Sequence, residues 1–253
     1  MTRIASHRGG TLEFGDSTPA GFLATSKMEL EEVEFDVHPT RDGQIVVHHD
    51  PTLDRTTDRS GTIATMTASE VLAASIQSGQ GGNPLLLEEL CALYAESHVV
   101  FRCEIKPGVD GRPYRDFVPR VVEALTECGR LSTSRFSSFQ VESLDAIAQA
   151  CDRPRLWLVS PAILEKWDIA KVIEIARSHQ IPELGIHVDL VTVELMAQVN
   201  ASGLELGCWA AHSVEQIDKA LDLEVKVFTT DRPSLAIERR KLRQPAIAEE
   251  VRS

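Results

Sequence analysis

Residues 32–37 read Glu-Val-Glu-Phe-Asp-Val, and they carry the pattern on which the predicted architecture rests. Residues two apart on a β-strand point to the same face, so Glu34 and Asp36 would project together. Buried carboxylates are costly unless a cation or a metal satisfies them, because the charge loses its hydration. The stretch therefore predicts a strand that brings two acids to a shared ligand.

Short β-prone runs alternate with longer runs of helical period along the whole chain. The predicted strands are residues 4–6, 32–37, 99–105, 134–138, 155–159, 183–188, 205–209 and 225–229. The predicted helices are residues 19–27, 85–96, 113–128, 141–151, 169–179, 192–200, 213–221 and 233–243. Eight strands that are each followed by a helix indicate the α/β class and a closed (β/α)₈ TIM barrel, which commonly has about 250 residues. We predict one domain over residues 1–253, with a doubly wound open sheet as the alternative.

One segment interrupts the alternation. Residues 44–82 hold an extra apolar run at 45–47, a polar stretch, a short helix signal at 69–74 and three glycines within 79–82. Long connections in a compact domain are usually functional loops. We interpret this segment as a small insertion after the second strand that folds over the barrel mouth.

Composition excludes several function classes. The formal net charge of −12 argues against a nucleic-acid partner and against stable membrane association through charge. The five cysteines show no CxxC pair, which is typical of reduced, buried thiols, and the first residues contain no apolar run like that of a signal peptide. We therefore expect a cytoplasmic location, while the oligomeric state stays open.

A second acidic strand end follows in the sequence Glu104-Ile105-Lys106. If the carboxyl ends of neighbouring barrel strands meet, Glu34, Asp36 and Glu104 form an oxygen-rich site suited to Mg²⁺ or Ca²⁺. The alternatives are a buried ion-pair network, or strand ends exposed on an open sheet.

Two histidines adjoin this predicted cluster. His7 and Arg8 precede two glycines that allow a ligand close to the backbone, and the arginine presents a planar fork for phosphate oxygens. His49 precedes an Asp-Pro turn, and two imidazoles on opposite sides of a P–O bond could act as base and acid. The alternative for each is a solvated loop histidine. We expect His48 to face away as a structural residue, and the remaining histidines to be surface or capping residues: His38, His98, His179, His187 and His212.

The motifs together resemble those of the glycerophosphodiester phosphodiesterase family. The matching segments are His7-Arg8-Gly9 and residues 34–43, 46–50, 53–57, 104–107, 137–139 and 230–233. The resemblance covers about residues 3–236, and the family has a TIM barrel with a small segment after the second strand.

The resemblance also implies roles for individual residues. Glu34, Asp36 and Glu104 would hold a divalent metal ion, Mg²⁺ or Ca²⁺. His7 and His49 would be the acid–base pair, and Arg8 and Lys106 would bind the phosphate. Trp209 would line the alcohol side of the pocket, with packing at the barrel rim as the alternative.

Two segments depart from the family pattern. The family's Pro-Glu-Asn-Thr reads Gly15-Asp16-Ser17-Thr18, and its Thr-Val-Asn after the tryptophan reads Ala210-Ala211-His212. Asp16 could replace the family's glutamate with a shorter reach. Both segments lie towards the substrate's alcohol, so the headgroup stays open.

The expected function is metal-dependent hydrolysis of a small-molecule glycerophosphodiester to sn-glycerol 3-phosphate and an alcohol. One alternative is a phosphodiesterase of lysophospholipid or sphingolipid headgroups, resembling a phospholipase D. The other is a non-catalytic barrel that binds a phosphorylated metabolite.

Overall fold

The computed structural model describes residues 1–244 and shows eight parallel strands closed into a barrel. Two further short strands lie outside the barrel, one in the insertion and one directly after it. The strands are β1 (Arg3–His7), β2 (Glu32–Pro39), β3 (Ile45–Val47), β4 (Leu85–Leu86), β5 (Val100–Ile105), β6 (Ser134–Ser138), β7 (Arg155–Val159), β8 (Glu183–His187), β9 (Glu205–Trp209) and β10 (Val227–Thr230).

Strand β1 closes the barrel because it pairs on both sides. Its Ser6 lies opposite Thr230 of β10, and its His7 lies opposite Glu34 of β2. All eight barrel strands are parallel, so their carboxyl ends meet at one mouth. The predicted (β/α)₈ barrel is confirmed, and the open sheet is wrong.

Helices surround the barrel and bury their apolar stripes against it. In α5, for example, Phe117, Val121 and Leu125 recur at four-residue spacing and are all buried. The helices are α1 (Thr11–Phe14), α2 (Pro19–Thr25), α3 (Ala68–Leu72), α4 (Leu87–Leu93), α5 (Phe117–Glu127), α6 (Val141–Ala150), α7 (Pro161–Lys166), α8 (Ile169–Ser178), α9 (Val193–Ala201), α10 (Val214–Asp222) and α11 (Pro233–Arg243).

Two helix starts differ from the predictions by more than one residue. The helix predicted from residue 85 begins at Leu87, because the two preceding residues form β4 and pair with β3. The helix predicted from residue 113 begins at Phe117, because Asp116 has a φ of 52° and breaks the helical backbone. The short helices α1 and α7 were not predicted.

The insertion packs as a small unit of its own beside the mouth. Strand β3 pairs antiparallel with β2, and a separate apolar cluster forms around Val46, Leu53, Ile63 and Val71. Because His49 follows β3 by two residues, this packing holds the backbone of His49 in place beside the mouth. The insertion was predicted over residues 44–82, and its pairing extends to β4.

The floor of the barrel is charged rather than lined by the branched apolar side chains that a barrel interior usually holds. Glu32, Arg102 and Glu183 are almost fully buried there, and Arg102 contacts both glutamates. Among residues 1–244, no helix is both long and apolar enough to span a bilayer.

Candidate active site

A cavity of about 240 Å³ opens at the carboxyl ends of the strands and reaches down into the barrel. Loops at this end of a TIM barrel carry the catalytic groups in nearly all enzymes of the fold. Most of the residues predicted from the sequence line this cavity: His7, Arg8, Glu34, His49, Glu104, Lys106 and Trp209.

Three carboxylates and two cations meet at the mouth. Oxygens of Glu34, Asp36 and Glu104 lie within 4.8 Å of one another, because β2 and β5 pair Asp36 with Glu104. Lys106 Nζ lies 2.6 Å from Glu104 Oε1 and 3.1 Å from Asp36 Oδ1. Arg8 Nε lies 3.2 Å from Asp36 Oδ2. Asp36 and Glu104 therefore belong to a buried ion-pair network, which was the alternative to a metal site, but Glu34 does not.

Of the three carboxylates, Glu34 is the one that pairs with no arginine or lysine among the described residues. Both of its carboxylate oxygens are buried without a hydrogen-bond partner among the residues described, and the nearest basic atom is His7 Nε2 at 3.8 Å. Burial, followed by the charges of Asp36 and Glu104, raises the pKa of Glu34 well above its usual value. Burial also raises the pKa of Glu104 to about 7. An oxygen-only donor set with unsatisfied atoms fits a hard divalent cation.

The two cations retain their charge in this setting. Burial alone would lower the pKa of Lys106, but the carboxylates of Asp36 and Glu104 outweigh it and raise that pKa. Burial alone would raise the pKa of Asp36, but Lys106 and Arg8 outweigh it and hold that pKa well below its usual range. Lys106 and Arg8 therefore keep their positive charges beside the three acids.

His7 is oriented by Asp231, which directly follows β10. The imidazole Nδ1 lies 2.5 Å from Asp231 Oδ1. Burial alone would raise the pKa of Asp231, but the hydrogen bond and charge of His7 outweigh it and lower that pKa. The ionised carboxylate can only accept, so Nδ1 donates and Nε2 keeps its lone pair for proton transfer.

His49 has the same arrangement with its neighbour. Its Nδ1 lies 2.5 Å from Asp50 Oδ1, and burial lowers the pKa of His49. Burial opposes ionisation of Asp50, but hydrogen bonds from Arg55 and His49 lower its pKa to about 2. Arg55 also lies 3.1 Å from Asp16 Oδ2, which in turn lies 3.2 Å from Arg8. Asp16 thus links the insertion to the phosphate-binding arginine predicted from the sequence.

A buried histidine holds the backbone of His49. His38 Nε2 donates to the His49 carbonyl at 3.0 Å, which leaves Nδ1 to accept from the Tyr114 hydroxyl at 3.0 Å. Burial lowers the pKa of His38 to about 4. The expectation of a surface or capping role is wrong for His38, because β2 carries it under the insertion. His48 is buried and bonds to Thr56, as a structural residue would.

A third imidazole lies beside His7. His212 Nδ1 accepts the backbone N–H of Asp231 at 3.0 Å, and the rings of His212 and His7 are 5.9 Å apart. Nitrogen and oxygen atoms of these three residues lie close enough to hold an ion. However, Nδ1 of His212 is already bonded to the backbone, so the arrangement is a hydrogen-bond network. The expected surface or capping role of His212 is wrong.

Trp209 forms part of the cavity wall. Its indole N–H donates to the Gly185 carbonyl at 3.2 Å, and its ring lies edge-on to Phe139 at 5.7 Å. His187, expected to be a surface or capping residue, caps the helical turn at Val188–Leu190 by accepting the Asp189 N–H, and its ring also packs against the indole at 4.7 Å. Trp209 thus lines the pocket and also packs at the barrel rim, so the prediction and its alternative are both compatible with its position.

The groups that hold the histidines carry no role in the predictions from the sequence. One signal was present, because Asp231 follows the last strand in the same way that other site residues follow theirs. The missed residues are His38, Asp50, Arg55, Tyr114, His212 and Asp231.

The comparisons with known proteins agree with this geometry. The sequence profile of the glycerophosphoryl diester phosphodiesterase family matches residues 7–235. The chain belongs to this family. The predicted enzyme class, a phosphoric diester hydrolase, is confirmed with it.

Individual relatives of the family cover almost the whole chain. A glycerophosphodiester phosphodiesterase from Caldanaerobacter subterraneus is 26% identical over 242 residues, which are 93% of this chain and 96% of the relative. A crystal structure of a candidate glycerophosphoryl diester phosphodiesterase from Agrobacterium tumefaciens is 61% identical, covers 96% of this chain and 99% of its own, and superposes with a TM-score of 0.95. An Oleispira antarctica phosphodiesterase in complex with the product sn-glycerol-3-phosphate is 20% identical, covers 94% and 96% of the two chains, and has a TM-score of 0.77.

Proposed function

We propose that the chain hydrolyses glycerophosphodiesters to sn-glycerol 3-phosphate and an alcohol with the help of a divalent metal ion. Glu34, Asp36 and Glu104 would hold this ion, which would supply Lewis-acid stabilisation of the phosphate charge. The observation that carries the proposal is the pair of buried Glu34 oxygens without a hydrogen-bond partner among the described residues. No arginine or lysine among the described residues pairs with these oxygens to balance their charge.

The charge at the mouth supports the same proposal. Three carboxylates face Arg8 and Lys106, so the cluster carries one excess negative charge when all its groups are ionised. A bound divalent cation changes this excess to one positive charge. Such a site attracts a monoanionic phosphodiester more strongly than the metal-free cluster does.

The two oriented histidines would move the protons. In each ring, Nδ1 is engaged by a carboxylate, and Nε2 is left to exchange a proton with the substrate or with water. One histidine would deprotonate the nucleophile, and the other would protonate the leaving alcohol. Arg8 and Lys106 would bind the phosphate oxygens, and Trp209 would line the side of the leaving alcohol.

Several expectations from the sequence stay predictions. These are the choice between Mg²⁺ and Ca²⁺, the cytoplasmic location, the lack of a nucleic-acid partner and the lack of stable membrane association. The assignment of residues 1–253 to one domain is also a prediction, because residues 245–253 lie outside those described. The choice of sn-glycerol 3-phosphate as product is supported by the name of the Caldanaerobacter relative and by the product bound to the Oleispira enzyme.

The test is a substrate panel with purified protein. Release of sn-glycerol 3-phosphate is measured from glycerophosphocholine, glycerophosphoinositol and glycerophosphoglycerol, and release of headgroups is measured from lysophosphatidylcholine. We expect activity on the deacylated diesters, loss of it in EDTA, and recovery with Mg²⁺ or Ca²⁺. Full activity in EDTA would contradict the metal proposal, and faster turnover of the lysolipid would favour the alternative substrate class.

A further inference from the structure

His212 stands outside the machinery proposed above, although its ring lines the same cavity beside His7 and Trp209. Its backbone is fixed on both sides. Ala210 turns the chain with a φ of 65°, and the Gln216 side chain accepts the N–H of His212 at 3.1 Å as part of the cap of α10. The direction of the imidazole is therefore set by the fold.

The protonation pattern of this ring follows from one hydrogen bond. The backbone N–H of Asp231 can only donate, so Nδ1 of His212 is the acceptor and the proton of the neutral ring is on Nε2. Burial lowers the pKa of His212, although the charge of Asp231 opposes this effect. His212 thus presents a neutral N–H donor, and this N–H has no hydrogen-bond partner among residues 1–244.

Trp209 and Phe139 form an aromatic wall of the same cavity. His187 also accepts a backbone N–H, that of Asp189, at its Nδ1, and its ring packs edge-on against the indole without lining the cavity. On the other side, Lys106 Nζ lies 5.7 Å from the centre of the Phe139 ring. The Nε2–H of His212 can donate to a hydroxyl oxygen, whereas the trimethylammonium group of choline offers it no acceptor and is repelled by the ammonium of Lys106.

We propose that His212 is a specificity-determining residue whose Nε2–H donates to a hydroxyl oxygen of the leaving alcohol, so that polyol headgroups are preferred over choline. This inference rests on the proposed function, because it concerns the alcohol side of the same phosphodiester. It goes beyond that function by naming the class of alcohol and the residue that selects it.

The experiment compares kcat/KM for glycerophosphoinositol, glycerophosphoglycerol and glycerophosphocholine in the wild type and in His212→Ala. We expect the wild type to prefer the two polyol substrates. The alanine variant should lose about 3- to 10-fold on both polyols, mainly through KM, which is the usual range for one hydrogen bond. Its activity on glycerophosphocholine should change less than about 2-fold.

Two further variants keep the result interpretable. His212→Asn keeps an acceptor for the Asp231 N–H and an amide donor, so it should fold and retain most of the polyol preference. His179→Ala removes a histidine that pairs with Asp145 on the outer helices, and it should leave all three rates unchanged. Thermal unfolding of each variant shows whether the fold is intact.

The outcomes separate the two proposals. If the wild type releases no glycerol 3-phosphate from any diester, the proposed function fails. If the wild type is active but His212→Ala loses the same factor on all three substrates, or on none, the specificity role is overturned. An equal loss would instead mean that His212 acts through Asp231 and His7.

Discussion

Glu32 and Glu34 are two residues apart on β2, point to the same side of the strand and are both buried, yet their surroundings are opposite. Glu32 lies at the floor of the barrel and Glu34 at its mouth. The same strand therefore places one carboxylate in a structural network and the other in the candidate active site. What distinguishes them is the set of cations that the neighbouring strands supply.

At the floor, cations surround the carboxylate. Arg102 donates to Glu32 Oε2 at 2.6 Å, and Arg3 and Arg135 lie 3.2 Å and 3.5 Å from Oε1. Burial alone would raise the pKa of Glu32, but Arg102 and Arg3 outweigh it and lower that pKa. The floor thus neutralises its own charge and needs no ligand.

At the mouth, the cations pair with the other two acids and leave Glu34 unsatisfied. The pKa of Glu34 is therefore raised, in contrast to that of Glu32. A protein that retains an unsatisfied buried carboxylate gives up stability at that position, and such positions are concentrated at functional sites. The unpaired carboxylate of Glu34 thus marks the mouth as the candidate site on physical grounds alone.

The largest expected effect on activity comes from replacing Glu34 with glutamine, and the same replacement at Glu32 is its control. Glu34→Gln should lower kcat/KM about 10³-fold or more, because metal-based stabilisation of the phosphate contributes several kcal/mol. Its free energy of unfolding in EDTA should stay the same or rise, since a buried unpaired carboxylate is removed. Glycerol 3-phosphate release and urea unfolding measure the two effects.

Glu32→Gln is the matched control on the same strand and face. It should lower the free energy of unfolding by about 3 kcal/mol, because Arg102 loses its main buried partner. The kcat of the folded protein should stay within about 3-fold of the wild type. The distinction between floor and mouth is wrong if the two variants show the same pattern.

The next largest effect tests whether turnover depends on the carboxylate of Asp231, which orients His7. Asp231→Asn should lower kcat about 10²- to 10³-fold, because a neutral amide no longer fixes the tautomer of His7 or stabilises its protonated form. The pH–rate profile should shift on one limb, which a purely structural defect would not cause. A uniform loss of active protein with an unchanged profile would contradict this positioning role.

Much of the barrel could be predicted because β-alternation and the strand–helix order are local properties. The same alternation rule indicated that Glu34 and Asp36 share a face, and strand-end position indicated Glu104. That rule also applies to Glu32, and the sequence did not show that Glu32 would have cations around it. Pairing between residues 70 positions apart, such as Glu32 with Arg102, depends on the parallel alignment of β2 with β5.

The supports of the two histidines were harder to predict for the same reason. Asp50 adjoins His49 in the sequence, so its role could have been proposed from proximity. Asp231 meets His7 only because β10 closes against β1, and His212 meets Asp231 only through the turn after β9. Such contacts are tertiary, so no local sequence pattern predicts them.

The smallest expected effect concerns how metal and pH act together on stability. In the metal-free protein, burial raises the pKa of Glu104 to about 7 and that of Glu34 also above its usual value. Between the unfolded value near 4.5 and the folded value, the native state binds more protons than the unfolded state. The free energy of unfolding therefore falls as the pH rises through this window. A divalent cation favours the ionised carboxylates and cancels this loss.

The stabilisation gained from Mg²⁺ or Ca²⁺, relative to EDTA, should therefore grow between pH 5 and pH 8 by on the order of 2 kcal/mol. Taking this difference removes the opposite contribution of the buried histidines, because they titrate in both conditions. Urea unfolding at each pH measures the difference, and Glu34→Gln should abolish most of it. A metal effect that is independent of pH would mean that the acids at the mouth are already ionised, as Glu32 is at the floor.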